Sequence, residues 1–235
     1  MRNSIKIGGF GEISFFIATV TCALGVCFAT KSGFGVSMIV APSFVLYNKL
    51  SEFLPWITFG MVEYVFQVFI ITLTAIIVGR FKWKYLLSFV TLVLYSAVLD
   101  FWRTIFGAEV YTQLSHRIIS CVAGIIIVAF AVALYLRTYL PQEGYELVVS
   151  EISNKFNLKL NKVKWIYDFI SLSLAIILMF CLFGKFATNM IGAGTIITTI
   201  VNAPLIAFFG WLFERKIEFT PYFKHFKAGY DKIMD

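Results

Sequence analysis

Residues 186–213 read FATNMIGAGTIITTIVNAPLIAFFGWLF, twenty-eight positions without a charge. About 20 apolar residues carry a helix across the hydrocarbon core of a bilayer, so this stretch is long enough to span once. It opens on Gly192-Ala193-Gly194-Thr195 and is interrupted by Asn202-Ala203-Pro204. An earlier stretch, Tyr85–Trp102 (YLLSFVTLVLYSAVLDFW), echoes it. With Thr195 laid on Ser88, Asn202 falls on Tyr95, Ala203 on Ser96 and Ala207 on Asp100. The echo indicates two related halves.

Working outward, uncharged or nearly uncharged runs give six spans, at roughly 13–30, 57–79, 85–106, 117–136, 165–184 and 190–213. Composition agrees. Of 235 residues, 60% are hydrophobic and 14% charged, against about 25% charged in a soluble domain, and the mean hydropathy is +0.85. Backbone in lipid must satisfy its own hydrogen bonds, which selects helices, and the short-period alternation of an outer-membrane barrel is absent. The expected fold class is an all-α membrane protein. The first apolar run resembles a signal peptide, but it is about as long as a span and lacks a small-x-small cleavage site, so it is read as a span. Cys22, Cys27, Cys121 and Cys181 all sit in apolar runs, which favours free buried thiols over a metal or disulfide framework.

A seventh apolar run, Ser32–Asn48 (SGFGVSMIVAPSFVLYN), starts with two glycines and holds Pro42. Glycine and proline interrupt a helix, so the run is expected to re-enter or lie at the interface. With this segment not crossing and the N-terminus cytoplasmic, fifteen Lys and Arg fall inside and five outside, as the positive-inside rule requires. Both termini are then cytoplasmic. The net charge of +7 is read as topology, not as a nucleic-acid signal.

Each half holds three spans, so the second must enter with the opposite orientation: an inverted-topology repeat, common among secondary transporters. The first repeat is 1–110, with the broken segment 32–53. The second is 111–213, with an amphipathic helix at 142–156, and 214–235 forms a cytoplasmic basic tail. Val148, Ile152 and Phe156 form one stripe of that helix while Glu146, Glu151 and Lys155 lie off it, which places it on the inner membrane surface.

Several short motifs resemble the YczE/YitT group of bacterial integral membrane proteins, in particular its YczE-like branch. Gly33-Phe34-Gly35-Val36-Ser37 is similar to that branch's G-x-G-x-S start, and Asp100 stands where it carries an acidic residue closing the third span. Pro141-Gln142-Glu143-Gly144 looks like its P-R-D-G segment, and Gly192–Thr195 with Ala203-Pro204 looks like its final run. Met38-Ile39-Val40 replaces the P-W-D triplet, Gln142 the Arg and Glu143 the Asp. The resemblance implies a membrane protein of the bacterial inner membrane and more topology than chemistry.

Charges in or beside spans are costly and are functional candidates. The set is Glu12, Lys31, Glu63, Asp100, Arg103, His116, Arg117, Asp168 and Lys185. Glu63 and Gln67 share a face at i, i+4, and Asp100 and Arg103 can pair at i, i+3. The functional reading is an outward-facing polar pocket lined by Glu63, Gln67, Asp100 and Arg103. The plainer one is snorkelling plus an intrahelical pair. Lys164 and Asp168 read as an anchor pair. Asn202 either lines a path or joins helices, and Pro204 frees a carbonyl one turn earlier. Gly33, Gly35 and Ser37 complete the candidate ligand-binding set.

No HExxH, GxSxG or GxxxxGK[ST] is present, so no enzyme, cofactor or metal is expected. The favoured reading is a small secondary transporter or channel-like protein for a small polar solute or ion, with its pocket between the repeats. The alternative is a membrane-embedded accessory or small-ligand sensor that moves nothing. Lipid is the one certain partner; the oligomeric state, a homo-oligomer included, is left open.

Overall fold

The structure is a computed structural model that describes residues 7–8, 11–79, 83–138, 140 and 143–218. Arg2, Lys6, Arg80, Lys82, Pro141, Gln142 and the tail beyond residue 218 lie outside the described residues. In chain order the helices are α1 (Gly11–Ser32), α2 (Ala41–Phe53), α3 (Phe59–Val78), α4 (Trp83–Phe106), α5 (Leu114–Tyr135), α6 (Gly144–Phe156), α7 (Leu160–Phe183) and α8 (Ala193–Lys216). Two short pieces, β1 (Ile7–Gly8) and β2 (Ile217–Glu218), pair in parallel and bring the two ends of the described chain together.

Among the described residues six helices, α1, α3, α4, α5, α7 and α8, are long and apolar enough to cross a membrane. Their bounds fall within a few residues of those read from the sequence. α2 and α6 have 13 residues each, about 20 Å at 1.5 Å per residue, short of the ~30 Å core. The helix ends follow from local chemistry. Thr58 caps α3 by accepting from Met61 N at 3.2 Å, and Gly79 and Gly184 close α3 and α7 in left-handed conformation. Pro42 sits in the first turn of α2, where its missing N–H costs nothing.

The centre of the fold is the crossing of α1 and α5. A Cβ on Gly25 would lie 2.6 Å from Val128 Cγ2, and one on Gly124 would lie 2.9 Å from the Gly25 carbonyl. Small residues let the two backbones meet. The helices run in opposite directions, since Tyr135 donates to Thr19 at one end and Arg117 to the Gly33 carbonyl at the other. α4 lies along α1 in the same direction, from Val20–Trp102 to Lys31–Phe106. α8 lies along α5 in the same direction, from Phe130–Phe209 to Arg137–Glu214.

The short helices cross over. α2 packs on α7, and α6 packs on α3. The pairings α1 with α4, α2 with α7 and α2 with α3 therefore each have a counterpart: α5 with α8, α6 with α3 and α6 with α7. Two pairings break the correspondence. α6 touches α4, whereas α2 and α8 hardly touch. α3 packs along α4, whereas α7 and α8 hardly touch, and these two spans bury the least of their surface.

The placement of α6 on the inner surface is corrected. The helix forms as expected, but Tyr145, Leu147, Val148, Val149 and Glu151 are buried. Each residue off the apolar stripe finds a partner on a neighbouring helix. Glu146 accepts from Lys164 at 3.1 Å, Glu151 from Tyr85 at 3.0 Å, and Lys155 donates to the Ile77 carbonyl. Phe156, read as part of the stripe, is exposed. α6 starts level with Gln67 in the middle of α3 and ends near Ile77, so it enters the protein rather than lying on it.

Candidate functional site

Glu63 stands one turn into α3 and is completely buried, as are Gln67 and Ser43. Isolated burial of a carboxyl is costly, and three donors from three helices meet this one. Tyr145 of α6 donates to Oε1 at 2.8 Å, and Gln67 of α3 donates to the same oxygen at 3.1 Å. The hydroxyl of Ser43, in the first turn of α2, closes on Oε2. Gln67 turns its own Oε1 to the backbone N–H of Gly144, the first residue of α6, at 2.9 Å. The N-terminal turns of both short helices thus converge on one carboxyl group. The i, i+4 spacing read from the sequence is realised, and Gln67 hydrogen-bonds Glu63.

A second carboxyl adjoins this cluster. Glu143 immediately precedes α6 and is 8% exposed. Its Oε1 has no hydrogen-bond partner. Burial pushes its carboxyl up to about 8; Tyr135 and Cys22 pull it back by hydrogen bonding, while the nearby Glu63 and Glu146 push it further. The Tyr145 hydroxyl is held well above the ordinary tyrosine range, first by burial and then by Glu63. Neither Glu63 nor Glu143 is ion-paired with a described lysine or arginine.

The other expected residues do not join this cluster, so the single pocket of Glu63, Gln67, Asp100 and Arg103 is corrected. Asp100 accepts from Thr58 Oγ1 at 2.6 Å and from Gly60 N at 2.8 Å, fastening the end of α4 to the start of α3. Arg103 turns away from it to Tyr47 (3.1 Å) and Thr30 (3.3 Å), with its guanidinium over the Tyr47 and Phe59 rings. Lys31 and Arg117 close helix C-termini. The former donates to the carbonyls of Phe106, Gly107 and Glu109, and the latter to those of Ser32 and Gly33. Lys164 pairs with Glu146 across α6 and α7, while Asp168 Oδ1 is left without a partner.

Gly33 and Gly35 hold left-handed turns between α1 and α2. A Cβ on Gly35 would lie 2.5 Å from both Gly192 N and Thr195 Oγ1. Here the loop of one half meets that of the other, with Val36 N on the Met190 carbonyl and Gly194 N on that of Phe34. The Ser37 carbonyl accepts from Val40 and Ala41 at the start of α2. Asn202 and Pro204 lie on α8, which packs on α5; Pro204 is exposed and Asn202 Oδ1 has no partner. A cavity of 710 Å³ is an apolar groove between α2, α3 and α7 lined by Leu46, Leu50, Met61, Phe66 and Leu178, with no carboxyl among its lining residues.

The sequence reading missed Glu143, Tyr145 and Cys22 as neighbours of Glu63, and Tyr135 as a neighbour of Glu143. One signal was available: an acidic residue directly before a glycine that starts a helix sits where the helix N-terminus meets its surroundings. Comparison with curated proteins and with solved structures gives no match. The family of unknown function DUF6198 matches residues 11–210, nearly the whole helical part of the chain, and the protein belongs to that family.

Proposed function

We propose that this multi-pass membrane protein is a small secondary transporter or channel-like protein for a small polar solute or ion, and not an enzyme. Its site is Glu63, between two halves that are inverted repeats. The chain lies in the cell membrane with both termini cytoplasmic. One observation carries the reading: the first turns of two helices too short to cross, one from each half, converge on one buried carboxyl group. Broken or short helices whose ends meet inside the protein are how transporters build a binding site at membrane depth. The exchange of pairing partners between α1–α4 and α5–α8 supports the repeat. The motif order shared with the YczE/YitT group is part of the same reading.

Reconstituted protein tests it. Proteoliposomes under imposed gradients of KCl, NaCl, glycerol and protons should show flux above protein-free vesicles for at least one of the four. Glu63→Gln should abolish it. No flux from folded protein in any gradient overturns the proposal. The complete burial of Glu63 favours a second reading, a closed membrane-embedded sensor or accessory protein. Ligand binding without flux would establish that one.

A further inference from the structure

The polar groups around Glu63 continue along one face of α4. Tyr85, Ser88, Thr91, Tyr95 and Ser96 are all buried, at spacings that place them on one side of the helix. Ser88 Oγ and Ser96 Oγ are buried and have no hydrogen-bond partner. This face starts beside Asp100, which ties α4 to the head of α3, and finishes at Tyr85, which donates to the buried Glu151 of α6. Between these ends stand Glu63 and Glu143. Tyr95 feels both carboxyls, as well as Cys22. Buried hydroxyls at short intervals between carboxyls are the chemistry along which protons move, and carboxyl chains in spans mark such relays.

We propose that Glu143 and Glu63 together bind a proton, and that the α4 face is the path by which this proton reaches and leaves them. The assignment rests on the transport reading for its purpose but not for its evidence. Three observations on Glu143 point to a proton. It is enclosed, one of its oxygens is unpartnered, and no described lysine or arginine neutralises it. The groups that act on it are weak acids: Cys22 from α1, Glu63 from α3, Tyr95 from α4, Tyr135 from α5 and Glu146 from α6. Glu146 already pairs with Lys164 of α7. Binding is the addition of H⁺ to a carboxylate oxygen and release is its loss; no other bond changes.

The test is infrared difference spectroscopy of the purified full chain in lipid nanodiscs, titrated from pH 5 to 10. The wild type should show a protonated-carboxyl C=O band that disappears near pH 8. Glu143→Gln should remove that component, and Glu63→Gln should shift it. Glu143→Asp, which keeps the acid, should move the band to the aspartic position and guards against a Gln variant that fails to fold. Absence of the band at pH 6, or a band set by NaCl or KCl and not by pH, overturns the proposal. Proton flux in vesicles separates it from the transport reading. A titrating band with no flux of any kind sinks transport and leaves the proton site, whereas solute flux without the band does the reverse.

Discussion

Glu143→Gln is the most informative single change, because it alters stability in a direction that depends on pH. The wild-type carboxyl is pushed up to about 8 in the fold, against about 4.3 in an unfolded chain. Between those values the folded protein keeps a proton that the unfolded chain has released. Stability from this group is therefore complete below about pH 4 and is lost as pH rises toward 8, at up to about 1.4 kcal/mol per pH unit. From pH 6 to pH 8 the loss comes to about 2 kcal/mol. Glutamine keeps the shape and does not titrate, so the variant lacks this slope. Groups shared by both proteins cancel in the comparison. For a chain of this size about 2 kcal/mol is a Tm difference of roughly 4–8 °C. Thermal unfolding in mild detergent, followed by tryptophan fluorescence at half-unit pH steps, reads it directly. The wild-type Tm should fall relative to the variant across this window and then run parallel above pH 9. Parallel curves from pH 6 to pH 8 would refute the reasoning, because they would mean the buried carboxyl does not hold its proton.

Further tests concern the frame around the site. Gly25→Leu drives a side chain into Val128, whose Cγ2 lies 2.6 Å from the Cβ position. Overpacking of about 1–3 kcal/mol should lower the melting temperature and the monodisperse yield on size exclusion, and an unchanged protein would contradict the α1–α5 crossing. Asp100→Ala removes the acceptor for Thr58 and Gly60 and should cost about 1–3 kcal/mol by thermal melt. Asp100→Asn keeps an acceptor and should cost less; equal losses would refute the anchoring role. In a background free of the four native cysteines, Glu52→Cys should label from outside intact cells. Asn154→Cys and Glu214→Cys should label only after permeabilisation. Labelling of all three from one side would refute the proposed inverted arrangement of α2 and α6.

The spans were legible because hydrophobic length is a local property: each is written in one uninterrupted stretch and needs no partner to be recognised. The break before α2 was legible for the same reason, since Gly33, Gly35 and Pro42 act on their own backbone. Glu63 and Gln67 could be grouped because one helix holds both. What failed were the side-chain pairings and the placement of α6, which needed knowledge of the facing helix. Glu146, Glu151 and Lys155 read as a solvated face, yet each meets a group on α7, α4 or α3. Asp100 and Arg103 read as partners because they are three apart, yet Thr58 with Gly60 and Tyr47 offered each a better one from another helix. Proximity in sequence set the expectation, and packing chose otherwise.

The convergence of α2 and α6 on Glu63 has an electrostatic consequence that a salt bridge there would not have. A helix N-terminus carries roughly half a positive charge, and here two face a pair of carboxyls with no described lysine or arginine beside them. A fixed cation would neutralise the site permanently and hold both short helices in one position. Without it, the charge of the site changes with each proton gained or lost, and the force drawing the two N-termini together changes with it. The groups that respond are on α2 and α6, and they touch Glu63 through single hydrogen bonds from Ser43 and Tyr145. The Gly35–Gly192 loop contact and the α1–α5 crossing join the halves through backbone packed too tightly to give. Motion coupled to occupancy is therefore expected in the two short helices against a rigid α1–α5 centre. Hydrogen exchange at pH 6 and pH 9 should differ in 41–53 and 144–156 and agree in 18–29 and 120–131. Equal protection of the short helices at both pH values would exclude this coupling.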